Sequence, residues 1–494
     1  MDFATARVPA KADVLLVPYY KEGESVVEAA DCKEWRDALT FPLSNKDFVG
    51  KEGESMVVYA DGQRIIMLGL GHKDKISVDS LRRAYSAFVS VCKEKKWVTL
   101  NVLMPKKVAL PAEQVMRGIA EGLLLGDYTF DKLKKAALKD HPPVFLKKVF
   151  VVGINDKLLA VAKKYATIFR EGVNLVRDLV NDNADEITPE YLSALARRLA
   201  RQYPAITTTV FDRKRIEKEK MGLLLAVSRA SSGHREPAFI IVRYRGAPRS
   251  KEHTVVVGKG ITYDTGGLSL KHTGGIHGME NMKTDMGGAA TVLGVVSAAA
   301  ALKMKVNITG VFAATENNVG ALAYKPGDTY TSYLGKTVEI ANTDAEGRLI
   351  LADALAYATK KLKPTRMIDF ATLTGSVEVA LGTLVSGIFS NDDTLAEGLS
   401  EAGEASNERV WRLPLVEEYR KLLDSDVADI KNLGNRQAGA IVAALFLKEF
   451  VGDVPWVHCD IAGTAYRTSK HHYYSKGATG VGVRLMIDFF EKTL

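Results

Sequence analysis

The chain reads as an α/β protein: a small N-terminal α/β domain, then a larger C-terminal α/β domain with a mainly parallel central sheet flanked by helices. Three observations predict this. Short apolar runs alternate with segments of helical periodicity in both halves, the pattern of strands joined by helical crossovers. The 494 residues, 47% of them hydrophobic, suffice for at least two cores, and length alone would allow about three domains. Side chains of catalytic type gather after residue 250, in loops at the ends of apolar elements, whereas the first 150 residues hold no such cluster.

Taken in order, residues 1–155 supply the first domain. Ala12–Tyr20 and Arg64–Leu70 are apolar strand candidates, and Ser77–Lys93 has helical spacing with Ser77 as its cap and Asp79 in its first turn. Val98–Met104 follows as a strand. Pro111–Leu125 follows as a helix with Pro111 and Glu113 near its start and Gly126 after its end, and Val144–Ile154 returns as a strand. Without a catalytic cluster, this domain is assigned a structural or oligomeric role. Residues 156–182 read as a connector, one long helix over Lys157–Val180 that runs into the polar break Asn181–Ile187. Thr188-Pro189-Glu190 then caps and opens the next helix. In residues 183–494 the strand candidates are Thr207–Phe211, Ala238–Tyr244, His253–Val257, Val306–Ala313, Arg366–Thr372 and Trp456–Asp460.

Composition narrows the function classes. The net charge of +8 and the pI near 9.0 permit anion binding, but the lysines are spread along the chain rather than blocked. Nucleic acid is not expected as a primary partner. Cys32, Cys92 and Cys459 lie far apart without a CxxC pair, which fits a reducing compartment. The N-terminus shows no apolar signal region. The uncharged, Gly- and Ala-rich run Met286–Leu302 falls just short of a membrane span and reads as a core helix. A soluble, cytoplasmic protein with no membrane partner is expected.

The chemistry centres on Asn342-Thr343-Asp344-Ala345-Glu346-Gly347-Arg348-Leu349, which places two carboxylates and a guanidinium within five positions. The run Thr337–Ile340 leads in as a strand and Leu349–Leu355 leads out with helical periodicity. Two acids this close repel each other unless a cation holds them. The plainer reading is an acidic turn with Asp344 capping the helix. Upstream, Val255–Val257 reads as a buried strand, followed by a Gly-rich loop carrying Lys259, Asp264 and Lys271, and Asp285 precedes a long Ala-rich helix. Four acids and two lysines at the ends of apolar elements suit hard or borderline divalent metals, and carboxylates can bridge two ions. No histidine falls among them, so a carboxylate-based pair of metals is favoured over a His-dominated zinc site. His272 and His277 read as ordinary loop histidines, and His458 as a packed core histidine.

These stretches together resemble the leucyl aminopeptidase family, the two-metal cytosolic exopeptidases, whose signature is Asn-Thr-Asp-Ala-Glu-Gly-Arg-Leu. The resemblance covers residues from about 170 to 494 and includes Leu175–Thr188, Ala371–Gly375, Trp411–Pro414 and Asp460–Gly463; it reaches weakly into Gly122–Lys132. It implies one metal at Asp264, Asp344 and Glu346, and a second at Lys259, Asp264, Asp285 and Glu346. Lys271 and Arg348 match the catalytic pair that binds no metal, with a bicarbonate at Arg348. Met282 and Ala465 would line the pocket for the first side chain of the substrate, and Thr372 and Leu373 would touch the substrate through the backbone. The ions expected are Zn²⁺, with Mn²⁺, Mg²⁺ or Co²⁺ at the exchangeable site. The activity implied is release of neutral, Leu-like N-terminal residues from short peptides by a two-metal-activated hydroxide. The assembly implied is a homohexamer, two stacked trimers whose active sites face a shared interior.

Physical chemistry supports the same reading. A nearby dication lowers the pKa of a ligating lysine, two ions can share a hydroxide and polarise a carbonyl, and a charged lysine stabilises a developing oxyanion. A free α-amine on one ion would select peptide N-termini. The segment Lys271–Asp285 is a few residues longer than in most relatives, which bears on Met282 and the shape of the first-residue pocket. Two other classes use the same residues: a two-metal phosphoesterase with Lys271 and Arg348 clamping phosphate, and a non-catalytic scaffold retaining the metal fold.

Overall fold

The computed structural model describes residues 1–140, 142–274 and 278–493. The chain divides into two compact α/β units, Met1–Phe169 with Ser469–Lys476, and Arg170–Thr468 with Gly477–Leu494. The division falls inside the segment read as a connecting helix. That segment is two helices, Asp156–Ile168 and Asn174–Asn181, separated by a π-helical turn over Phe169–Val173. Gly172 sits in this turn. A Cβ there would meet Val483 Cγ1 at 2.7 Å and Gly294 O at 3.0 Å, so close packing, not helix propensity, sets the local path.

The first unit holds a seven-stranded sheet in the order Asp2–Ala6, Lys148–Val152, Thr99–Leu103, Val14–Glu22, Gln63–His72 and Ser55–Ala60, with Ser25–Glu28 beside Val14–Glu22. The successive contacts are parallel up to Gln63–His72, and the edge contact with Ser55–Ala60 is antiparallel. Ser77 caps the helix Val78–Lys95 through a reciprocal capping box with Ser80. Gly126 does not end its helix, which runs over Ala112–Asp127. Gly118, Gly122 and Gly126 form a stripe four residues apart, and a Cβ at each would lie within 2.7–2.8 Å of Leu81, Arg82 or Ser86. The glycine is there for helix–helix approach, which a terminator reading misses.

The second unit is built on an eight-stranded mixed sheet in the order Val410–Arg412, Ser386–Ser390, Trp456–Asp460, Arg366–Ala371, Thr254–Asp264, Asn307–Asn317, Ala238–Arg245 and Ile206–Phe211. Its four central strands run parallel, so their C-terminal ends open on one edge, where ligands of open α/β sheets bind. The strand Thr254–Asp264 corrects the expectation of a Gly-rich loop after Val257: it continues through Lys259 to Asp264. Its glycines serve crowding. A Cβ on Gly258 would sit 2.6 Å from Gly288 O, and one on Gly260 would sit 2.5 Å from Ala313 O. The helix Gly287–Ala301, almost wholly buried, covers this strand as the core helix expected. The continuous helical stretch Met279–Ala301 has the length and apolarity of a membrane span, but 94% of its most apolar window is buried inside the fold.

Candidate active site

The central strands end at one cavity of about 110 Å³ lined by Lys259, Asp264, Lys271, Asp285, Asp344 and Glu346, with Met282, Thr372 and Leu373 on its walls. Lys259 reaches in from within the strand Thr254–Asp264, whose last residue is Asp264. Its ammonium lies 2.8 Å from Asp285 Oδ2 and 2.9 Å from Glu346 Oε1, and donates to Thr372 O at 2.8 Å. Gly347 makes this reach sterically permissible. A Cβ there would lie 2.5 Å from Lys259 Cε and 2.7 Å from its Nζ, so the glycine between Glu346 and Arg348 is the gap through which the lysine passes.

Asp344 does not cap the following helix, which starts at Glu346 after Ala345. Its carboxylate pairs instead with Lys271, whose ammonium lies 2.5 Å from Asp344 Oδ1 and 3.0 Å from Asp264 Oδ2. The signature turn is stitched to the loop after Asp264 by Thr343. Its hydroxyl donates to Gly266 O at 2.6 Å and accepts from Ser269 N at 2.8 Å. Gly266 holds φ +85°, a left-handed conformation that favours glycine and lets its own N–H reach Asp264 Oδ1 at 2.8 Å.

Electrostatically the cluster is in deficit: four carboxylates face two ammonium groups in a buried setting. Burial, then the charges of Glu346 and Asp285, push Asp264 well above the usual carboxylate range. Burial likewise raises Asp285 to about 6, against the pull of Lys259. Burial opposes ionisation of Glu346 too, but Lys259 and Lys271 outweigh it and hold that carboxyl low. Burial disfavours both ammonium groups, yet the surrounding carboxylates keep each pKa above the usual lysine range. The donor set suits divalent metal. Oxygens of Asp264, Asp344 and Glu346 come within 4.8 Å of one another, and Glu346 Oε2 is buried without a hydrogen-bond partner. A cation would supply both the missing charge and the missing partner.

The remaining sequence-derived residues divide. Arg348 is buried beneath the cluster, outside the cavity lining, where Nη1 donates to Asn432 O at 2.9 Å and Nε has no partner. Burial lowers its pKa to about 10. A small oxyanion would fit this unsatisfied donor. Ala465 is 5% exposed and lies behind the wall: a Cβ on Gly287 would sit 3.7 Å from its methyl. At Thr372-Leu373, two backbone groups are already engaged, Thr372 O by Lys259 and Leu373 N by Asp460 Oδ1 at 3.1 Å. His272 is exposed and His277 lies outside the described residues. His458 is a core histidine, its Nδ1 2.6 Å from Asp369 Oδ1.

Four supports were not anticipated. Asn317 donates to Asp264 Oδ1 at 2.8 Å and to Thr343 O at 3.0 Å. Asn432 accepts from Ala341 N and donates to Asn342 O. Asp460 accepts from the Thr374 hydroxyl at 2.7 Å, and the Thr372 hydroxyl donates to Asp285 Oδ1 at 2.7 Å. Of these, Asp460 lay at the end of an apolar strand and Thr372 was expected only for its backbone; the two asparagines carried no readable signal.

Comparison with known proteins places this geometry. Residues 174–487 match the model of the cytosol aminopeptidase family catalytic domain, and residues 16–137 match that family's N-terminal domain. A probable cytosol aminopeptidase of Protochlamydia amoebophila is 51% identical over 98% of this chain and 96% of its own. One from Chlamydia abortus is 46% identical over 98% and 97%. Among solved structures, the bottromycin maturation enzyme BotP in complex with Mn superposes with a TM-score of 0.85 at 31% identity, covering 98% of this chain and all of that one. A tomato leucine aminopeptidase mutant gives 0.84 at 32% identity, covering 100% and 96%.

Proposed function

The chain belongs to the cytosol aminopeptidase family and is a metal-dependent aminopeptidase acting on peptides; from that premise we propose that it releases neutral, Leu-like N-terminal residues using two divalent ions. The observation that carries the two-ion reading is the surplus of carboxylates in one cavity, with Glu346 Oε2 unpartnered. Asp264, Asp344 and Glu346 would hold one ion, and Lys259, Asp264, Asp285 and Glu346 the other. When bound, such ions supply Lewis-acid activation of water and of the scissile carbonyl.

The chain's own residues do the rest. Lys259 must be neutral to ligate, so its site is one where a dication replaces the carboxylates' demand for an ammonium. Lys271, with less steric enclosure and two carboxylate partners, remains charged and meets negative charge developing on the substrate carbonyl oxygen. Arg348 holds a bicarbonate through its unsatisfied guanidinium edge. Asp460 fixes the Thr372–Thr374 turn, and with Met282 this turn shapes a wall for an uncharged first side chain. Zn²⁺ is the ion proposed, with Mn²⁺, Mg²⁺ or Co²⁺ at the exchangeable position. The assembly proposed is a cytoplasmic homohexamer, a dimer of trimers, restricting access to short peptides; light scattering that finds a fully active monomer would exclude it.

The experiment is a panel of aminoacyl amides with N-acetylated controls, assayed after metal stripping and readdition. Turnover should require metal, favour Leu and vanish on acetylation. Equal rates on free and acetylated substrates would overturn the role of the α-amine.

A further inference from the structure

The opposite end of the central sheet carries the reverse charge. The register brings three segments together there: Asn307 pairs with Arg245, and Thr254 pairs with both Ile308 and Arg366. Segments 243–253, 303–309 and 360–366 contain ten Lys and Arg against one carboxylate, Glu252. They surround a cavity of about 410 Å³ lined by Arg243, Arg245, His253, Asn307, Thr309 and Lys361, within the range of small-molecule sites.

The cavity is built rather than accidental. Arg243 and Arg245 are alternate residues of one strand and so project from one face of the sheet. Among the described residues, neither they nor Lys361 makes an ion pair with a carboxylate. The loop after Arg245 is pinned by Asn307, whose Nδ2 donates to Ala247 O at 2.7 Å and to Glu252 O at 3.2 Å, and whose Oδ1 accepts from Ala247 N at 3.2 Å. His253 Nε2 lies 2.8 Å from the Thr309 hydroxyl. Burial, and then Arg243 and Arg245, lower the pKa of this histidine, which leaves the imidazole neutral and the arginines as the charge of the site.

We propose that this cavity binds a small organic di- or polyphosphate, with the Arg243 and Arg245 guanidinium forks and the Lys361 ammonium on its phosphates. Two guanidiniums side by side match phosphate oxygens bidentately, where lysines alone would offer point charges. A concave volume of this size favours a compact ligand over a polymer. The site would be separate from the peptide-cleaving cluster, since the two lie at opposite ends of the strand Thr254–Asp264.

The test is calorimetric titration of ADP into the metal-loaded protein near physiological salt, with adenosine and inorganic phosphate as comparison ligands. ADP should bind once per chain, adenosine should not, and phosphate should bind more weakly. Arg243→Gln/Arg245→Gln should weaken ADP by about tenfold or more, the scale of losing charge-assisted hydrogen bonds. Lys361→Gln, a change at an exposed side chain, should weaken it several-fold while leaving the fold intact. Arg348→Ala should leave it unchanged. Undiminished binding in both cavity variants, loss on Arg348→Ala, or capture of duplex DNA without ADP binding would each overturn the proposal.

Discussion

Each unit buries an ionic network, and the two are not alike. In the N-terminal unit the Arg82 guanidinium, 1% exposed, lies 2.5 Å from the fully buried Glu121 carboxylate. Arg117 meets the same oxygen at 3.2 Å, and Asp79, Arg83 and Glu52 extend the network outward. Three arginines face three acids, so the network is closed. In the catalytic unit four carboxylates face only two lysines. Each network has deeply buried members, Arg82 and Glu121 in one and Asp264 and Glu346 in the other, and reaches partly exposed groups at its edge. What separates a structural network from a functional one is the uncompensated charge, because an interior tolerates a deficit only where something is meant to fill it.

That contrast can be broken in four places. Asp264→Asn removes one of the two carboxylates, with Glu346, assigned to both ions; metal content by atomic emission should fall to near zero and peptidase activity to background, while Tm of the metal-free protein is unchanged or higher. Glu121→Gln should do the opposite, costing about 3–5 kcal/mol of stability because two arginines are left facing a neutral group, with kcat per folded molecule unaltered. An equal loss of kcat would show that the N-terminal network also serves catalysis. Lys271→Ala should keep both ions and lower kcat by about 10²–10³ with little change in KM. Lys259→Ala should instead lose one ion selectively, and the reverse pattern of metal loss would mean that the two lysines have exchanged roles.

The smallest effect is on pH dependence. In metal-free protein Asp285 is raised from 3.8 to about 6, chiefly by burial. A raised carboxyl binds its proton more tightly in the folded state, so its stabilising contribution is full below about 3.8 and is lost as pH rises through about 6. The Tm of stripped protein should therefore fall across that window. Asp285→Asn should flatten the fall.

The members of the cluster were legible in the sequence, and its supports were not. Asp264, Asp285, Asp344, Glu346 and both lysines announce themselves by type and spacing. Asn317 does not, because the apolar pattern of its strand fades at Ala313 while pairing continues to Asn317, opposite Asp264. Asn432 lies beyond a two-residue strand that carries no periodic signal. In the N-terminal unit, Asp2–Ala6 and Ser55–Ala60 are strands at the sheet edges, too short or too exposed to show alternation. The break at Phe169–Val173 is invisible for a related reason: a single Gly172 inside a helical pattern is commonly tolerated, and the deviation comes with the close approach of Val483 and Gly294 to Gly172. Local pattern identifies what a residue can do; register and close approach decide what holds it there.

The two ammonium groups seated among the carboxylates bear on when the enzyme is made competent. A pocket of four acids without counterions would resist closing until an ion arrived, tying maturation to the supply of free metal. Here the chain brings two counterions of its own. The scaffold should therefore be complete as soon as synthesis and folding are, and be loaded later by exchange.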